Sequence, residues 1–230
     1  MLKEFGPDIW IADGPNVSVA GFHYPSRMVI IKLSDGTLFI SSPIQLSEDI
    51  RAQVHTLGGQ VQHVVAPNSL HHIFLPEWRR AYPGAKFYAP PGLREKRKDI
   101  AFDGDLTSAP NPRWASEIDQ VLMRGNLITT EAVFFHYKSG TVLFTDLIQQ
   151  LPVGFISGWR AIVAKLDLMM EGEPSVPRKF RFAFINRRAA RESLEYILAW
   201  PTKKVLMAHG TPIEKDAQVY LRHAFKWLTS

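Results

Sequence analysis

Twice along its length this chain runs a block of consecutive strands into an alternation of helix and strand, and that repeated order narrows the folds open to it. In the first half, Ile9-Trp10-Ile11-Ala12 and Met28 to Leu33 read as strands. Ser34-Asp35-Gly36 then turns the chain back through Thr37 to Ser41 as a hairpin. Leu46 to Leu57 has helical spacing behind a Ser47 cap and ends near Gly58-Gly59. Val61 to Ala66 reads as a buried strand, His71 to Tyr82 as a helix interrupted or begun afresh near Pro76, and Ala85 to Ala89 as another strand. In the second half, Ile118 to Met123, Ala132 to Tyr137 and Thr141 to Thr145 alternate like consecutive strands. Asn186 caps a helix over Arg187 to Trp200, Lys203 to Ala208 is a strand, and Asp216 to Leu228 is a last amphipathic helix. This order predicts two mixed β-sheets covered by helices, in one domain over residues 1–230. Asp103 to Trp114 is a long loop. Residues 151–183 carry Gly, Pro, Met and aromatics without a clean period, and helix and loop are expected there.

With 230 residues, 46% of them hydrophobic, the chain can bury a sizeable core without staples. It has no cysteine, which excludes disulfides and thiolate metal sites. Any metal must therefore be held by His, Asp, Glu or Asn. No apolar run reaches the 18 or so residues of a membrane span, so no membrane partner is expected. The opening MLKEFGPDIWIADG lacks the apolar core of a signal peptide, and a cytoplasmic location is expected. Net charge is +5, with basic clusters at 94–98, 178–181 and 187–188. They read more naturally as solvated faces than as a nucleic-acid surface, because acids and apolar residues interrupt them.

Candidate chemistry gathers where apolar strands end. His71 and His72 follow the strand Val61–Ala66, His136 ends Ala132–Phe135, Asp146 ends Thr141–Thr145, and His209 ends Lys203–Ala208. Loops at strand ends vary freely over a rigid base, so α/β folds collect functional groups there. A lone histidine in such a place is ordinarily structural, but here four of the eight histidines and one aspartate share it.

These residues, in this order, resemble the metallo-β-lactamase-like superfamily. That family carries His-x-His-x-Asp-His after a buried strand, a histidine before a Gly-Ser type turn, an aspartate after an apolar strand, and a late Gly-His-Gly loop. His136-Tyr-Lys-Ser-Gly140 resembles the second element, Val142-Leu-Phe-Thr-Asp146 the third, and Val205-Leu-Met-Ala-His209-Gly-Thr-Pro-Ile213 the fourth. The resemblance covers nearly the whole chain and implies a four-layer αββα sandwich. The first motif departs from the pattern. With the Asp-His pair placed on His71-His72, Pro67 and Ser69 stand where the leading histidines belong, or Ala66 and Asn68 with a shift by one, and Ser42-Pro43 replaces an early Asp-x-Gly. The chain therefore resembles a diverged branch with a degenerate first His motif.

The resemblance implies one divalent metal rather than two, held by a set drawn from His71, His72, His136, Asp146 and His209. Zinc is expected first, with iron or manganese as alternatives. Asp146 and Asn68 are the candidate catalytic residues. Asn68 either donates to a developing oxyanion or orders the histidine pair, against the plain reading of a turn-forming Asn after Pro67. His23, Tyr24 and Arg27 lie in an early loop that in this superfamily can overhang the site. Phe74 and Trp78 fall four apart and read as core. Trp159, Met169 and Met170 read equally as core, as an apolar pocket or as a homodimer contact. His55, His63 and His223 read as surface residues.

The expected activity is metal-dependent hydrolysis of a small ester, thioester, lactone or phosphoester. The alternative is a non-enzymatic relative that binds a ligand or partner with a degenerate metal site. Nucleic-acid processing is disfavoured, because 230 residues leave little room for the inserted domain such relatives carry.

Overall fold

The computed structural model describes every residue except Ala20, Glu173, Pro174 and Ser230. The chain opens with β1 (Leu2–Gly6), β2 (Ile9–Val19), β3 (Phe22–Lys32) and β4 (Leu38–Ser41). It continues through α1 (Glu48–Thr56), β5 (Val61–Val65), α2 (Leu75–Ala81), β6 (Lys86–Ala89), α3 (Leu93–Lys96) and β7 (Gly104–Asp105). These seven strands pair in chain order as one mixed sheet, antiparallel from β1 to β4 and parallel from β4 to β7. Next come β8 (Ile118–Met123), β9 (Glu131–His136), β10 (Thr141–Leu143) and β11 (Gln149–Gln150). Helices α4 (Trp159–Leu166), α5 (Arg178–Ala183) and α6 (Arg187–Ala199), strands β12 (Lys204–Leu206) and β13 (His209–Gly210), and helices α7 (Ala217–Ala224) and α8 (Lys226–Thr229) complete it. The second sheet has the order β12-β10-β9-β8 and is mixed, because only β10 and β12 run parallel. Strands β11 and β13 form a separate parallel pair.

The layers follow from which residues each strand buries on each face. Successive side chains point to opposite faces. In β9, Ala132 and Phe134 pack with Val29, Ile31, Phe39 and Trp114 between the two sheets, while Val133 and Phe135 pack with Leu194, Ile197 and Leu221 under α6 and α7. On the far side of the first sheet, Ile30, Ile40, Val64 and Phe87 meet Ile50, Val54 and Trp78 from α1 and α2. Helices, sheet, sheet and helices therefore stack in four layers. Strands buried on both faces need apolar residues at consecutive positions, which is why all six residues of β9 are buried. No described helix is long and apolar enough to cross a membrane.

Three local outcomes differ from the sequence pattern, while the stretch 151–183 is helix and loop as expected. The helix expected over His71–Tyr82 begins only at Leu75. The Asn68 side-chain carbonyl accepts from the backbone N–H of Leu70 (2.8 Å) and His71 (3.3 Å), which holds this stretch in a turn, and Pro76 then opens the helix. The last helix divides at Phe225, whose ring is fully buried. In the stretch 151–183 the expected helices are α4 and α5, with Glu173 and Pro174 outside the described residues. His63, expected on the surface, is buried between Tyr88 and Trp114, because β5 is covered on both faces. Burial, reinforced by Arg113, pushes its imidazole down to about 4.

Candidate metal centre

Three of the strand-end residues converge. Asp146 lies three residues beyond β10, His209 opens β13, and His71 sits in the Asn68 turn after β5. His71 Nε2 is 3.1 Å from Asp146 Oδ2, and His209 Nε2 is 3.2 Å from Asp146 Oδ1. One donor atom from each of the three falls within 4.8 Å of the others. Asp146 and His209 are buried and His71 is partly buried.

The back of each imidazole is held. His209 Nδ1 donates to the Pro25 carbonyl (2.6 Å), and His71 Nδ1 shares a hydrogen bond with Ser42 Oγ (2.7 Å). A carbonyl only accepts, so the Nδ1 of His209 carries a proton and its Nε2 faces the carboxylate, either as a second N–H donor to Asp146 or as a lone pair open to a cation. Two acceptors cannot face each other at 3.2 Å without a proton or a cation between them. An Nε2 donor oriented by a hydrogen bond at Nδ1 is the usual arrangement of a metal-ligating histidine. The donor set thus fits a divalent cation.

Behind the carboxylate is a buried polar network. Asn68 is fully buried, and its amide nitrogen faces Asp146 Oδ2 (2.7 Å), Thr145 Oγ1 (2.9 Å) and Glu131 Oε2 (3.2 Å). Glu131, also fully buried, accepts the backbone N–H groups of Thr145 (2.7 Å), Asp146 (2.8 Å) and Leu147 (3.2 Å). It clamps the loop that presents Asp146. Burial, then repulsion from Asp146, push the Glu131 carboxyl up, against the hydrogen bonds from Thr145 and Asp146. Burial also pushes Asp146 up. The charge of His71 and the hydrogen bonds from His209 and His71 overcome it and hold the Asp146 carboxyl well below its ordinary value. The two neighbouring carboxylates are driven apart by environment, as happens in functional sites.

Two expected ligands stand elsewhere. His72 turns away from its neighbour: Arg97 donates from Nη1 to its Nδ1 (2.7 Å) and to its carbonyl (3.2 Å). Burial, with Lys96 and Arg97 beside it, pushes its imidazole down to about 4. His136 bonds Ser139 Oγ (2.8 Å), and burial pushes it down to about 4 as well. It lies at the far end of β9 from Glu131, five residues or about 17 Å along an extended strand, so it cannot join the group. Asn68 sits beside the group, fully buried, with its side chain turned inward onto Asp146 and the backbone of the His71 turn.

Around the mouth, Arg27 Nη1 donates to the carbonyls of Met207 (2.9 Å) and Gly210 (2.6 Å), tying β3 to the His209 turn. The Tyr24 ring is 5.4 Å from that of His209 and its hydroxyl accepts from Lys179 Nζ (3.1 Å). His23, His55 and His223 are exposed, and Trp78 is in the core with its indole N–H on the Ile44 carbonyl (2.7 Å). Sequence reasoning missed Glu131, Ser42 and the Pro25 carbonyl. Only Glu131 left a signal, an acid opening the apolar run Ala132–Phe135.

The layers have counterparts among solved structures. The metallo-β-lactamase from Pontibacter korlensis shares 12% identity over 100% of this chain and 99% of its own, with a TM-score of 0.66. The metallo-β-lactamase FIM-1 from Pseudomonas aeruginosa, in its mono-zinc form, shares 14% over 100% and 96%, with a TM-score of 0.62. A metal-soaked Flv1 flavodiiron core from Synechocystis sp. PCC6803 shares 10% over 100% and 60%, with a TM-score of 0.65. No curated protein matches the sequence. At these identities the likeness shows the fold, which is metallo-β-lactamase-like. Residues 7–164, more than half of the chain, match the family described as "Domain of unknown function (DUF4336)", and the chain belongs to that family.

Proposed function

We propose that the protein is a metal-dependent hydrolase, one domain over its 230 residues, with a single divalent cation held by His71, Asp146 and His209. The supporting observation is the pair of imidazole Nε2 atoms at 3.1 and 3.2 Å from the two oxygens of one buried carboxylate. Three protein donors are the number that leaves a catalytic zinc site an open position. Two imidazoles and a carboxylate also suit iron, so zinc is assigned first and iron or manganese next. Bound there, a divalent cation supplies a Lewis acid toward a substrate oxygen and brings the pKa of a water down to about 7.

The chain's own residues do the remaining work. Pro25 and Ser42 fix the two imidazole orientations. Glu131 holds the backbone of the Asp146 loop, and Asn68 donates to the Asp146 carboxylate. Tyr24 lies against His209 at the mouth, where it can contact a substrate. The substrate class is a small ester, thioester, lactone or phosphoester.

A second reading, a relative that binds a ligand without turning it over, is favoured by Pro67 and Ser69 standing where two ligands belong in the family motif. Turnover separates the two. Zinc-loaded protein is expected to hydrolyse at least one member of a chromogenic ester, thioester, lactone and phosphoester panel. The activity should vanish with chelator and fall more than about a hundredfold in Asp146→Ala. A fully metal-loaded protein that is inert on the whole panel, with zinc, iron and manganese in turn, would leave the binding reading in place.

A further inference from the structure

Helix α4 is amphipathic the wrong way round. At about 100° per residue, Trp159, Ile162, Val163 and Leu166 fall on one stripe about 100° wide. A helix on a globular protein ordinarily turns such a stripe inward. Here these four side chains are 61%, 63%, 40% and 59% exposed. The inward face consists of Ala161 and buried Ala164, packed with Leu151, Ile156, Met169 and Phe22. Val153, 83% exposed, and Phe155 extend the apolar ridge toward the preceding turn.

The flanks of the stripe are cationic. By the same helical geometry, Arg160 borders one edge and Lys165 the other, and α4 has no acidic residue. Arg160 stacks on the Trp159 ring, 4.7 Å from its centroid, and its Nε is buried without a hydrogen-bond partner. Among the described residues, neither Arg160 nor Lys165 has a carboxylate within ion-pair distance. Arg27, Arg79, Arg94, Arg97 and Arg124 all have one. Arg178, which begins α5 with its N–H on the Asp167 carbonyl next to Leu166, adds another such cation.

We propose that this ridge docks the protein on an anionic lipid bilayer, with the apolar stripe of α4 in the headgroup–acyl boundary and Arg160, Lys165 and Arg178 on lipid phosphates. An apolar face that carries Trp and Leu and is bordered by Lys or Arg is the pattern of a helix lying in a membrane interface. A second copy of this chain fits less well, because pairing two ridges would bring the like charges of Arg160 and Lys165 from each copy together in a low-dielectric contact. The docking is peripheral, in keeping with the lack of any described membrane-spanning helix. It also goes beyond the hydrolase reading and does not rest on it. The ridge lies beside the candidate metal centre: Trp159 meets Phe22 at 6.2 Å, and Tyr24 two residues on meets His209. Docking would turn the mouth of the centre toward the lipid.

Co-sedimentation of the full chain with vesicles tests this directly. Vesicles of phosphatidylcholine and phosphatidylglycerol in equal parts are expected to bind it at low salt, and phosphatidylcholine alone at least about tenfold less. Ile162→Glu/Leu166→Glu and, separately, Arg160→Glu/Lys165→Glu should each weaken binding by at least about tenfold. Ile162, Lys165 and Leu166 are exposed and Arg160 is partly buried, and an unchanged melting temperature shows that the fold survives. Failure to bind either vesicle would overturn the proposal, as would equal binding of the apolar-ridge variant. A wild-type dimer that Ile162→Glu/Leu166→Glu converts to monomer, without vesicle binding, would assign the ridge to a second copy instead.

Discussion

Glu131→Ala is expected to destabilise the protein by about 3–5 kcal/mol and to weaken metal binding in whatever fraction still folds. The carboxylate is fully buried and accepts three consecutive backbone N–H groups, those of Thr145, Asp146 and Leu147. Removing it strands all three donors where no water reaches, and each stranded donor costs about 1–3 kcal/mol before relaxation. The Asp146 loop then loses its clamp, and the carboxylate that both imidazoles face is no longer held. Glu131→Gln keeps the shape but presents an NH2 group to one side of that array, and it should fall between alanine and wild type. Urea denaturation and zinc titration read the two effects. A Glu131→Ala protein within about 1 kcal/mol of wild type would show that the clamp is dispensable.

The second large effect belongs to a glycine. Gly210, next to His209, has φ +139°, a region L side chains rarely adopt. A Cβ there would overlap the carbonyl of Gln150 on the paired strand β11. Gly210→Ala must therefore push β13 away from β11, move His209 off Asp146 and strain the Arg27 bond to the Gly210 carbonyl. A loss of about 3 kcal/mol or more in stability is expected, together with a loss of zinc affinity. Gly154→Ala is the control: φ is +87° but no atom lies within 4 Å of the added carbon. It should cost about 1 kcal/mol and leave zinc affinity unchanged. Equal effects at the two positions would mean that close packing around His209 is unimportant.

How much of this was legible in the sequence follows from how local each signal is. The Ser47 and Asn186 caps form as expected, accepting from Ile50 (3.2 Å) and Ala189 (3.1 Å), because a cap is decided within three residues. Two helix-covered sheets were legible from the order of strand and helix patterns, with apolar runs such as Val64–Ala66 and Ala132–Phe135 marking strands covered on both faces, and the four layers followed from the family resemblance. His71, Asp146 and His209 were visible as polar groups ending apolar strands, and the fold brings these three together. His136 shows the limit. A strand carries its residues to two opposite edges of the sheet, and nothing local to β9 tells which end faces the site; here it is the Glu131 end. Glu131 was missed for a related reason, since its partners lie 14 to 16 residues further on in a loop. The α4 ridge has the period of an ordinary core helix, and only its placement shows that it faces outward.

Metal content of the purified, zinc-loaded protein tests the three-residue centre most directly. One equivalent of zinc is expected in wild type. Less than about a tenth of that should remain in His71→Ala, Asp146→Ala and His209→Ala, while His72→Ala and His136→Ala should keep full occupancy. Full occupancy in His209→Ala, or loss of zinc from a folded His136→Ala, would contradict the assignment of the centre to His71, Asp146 and His209.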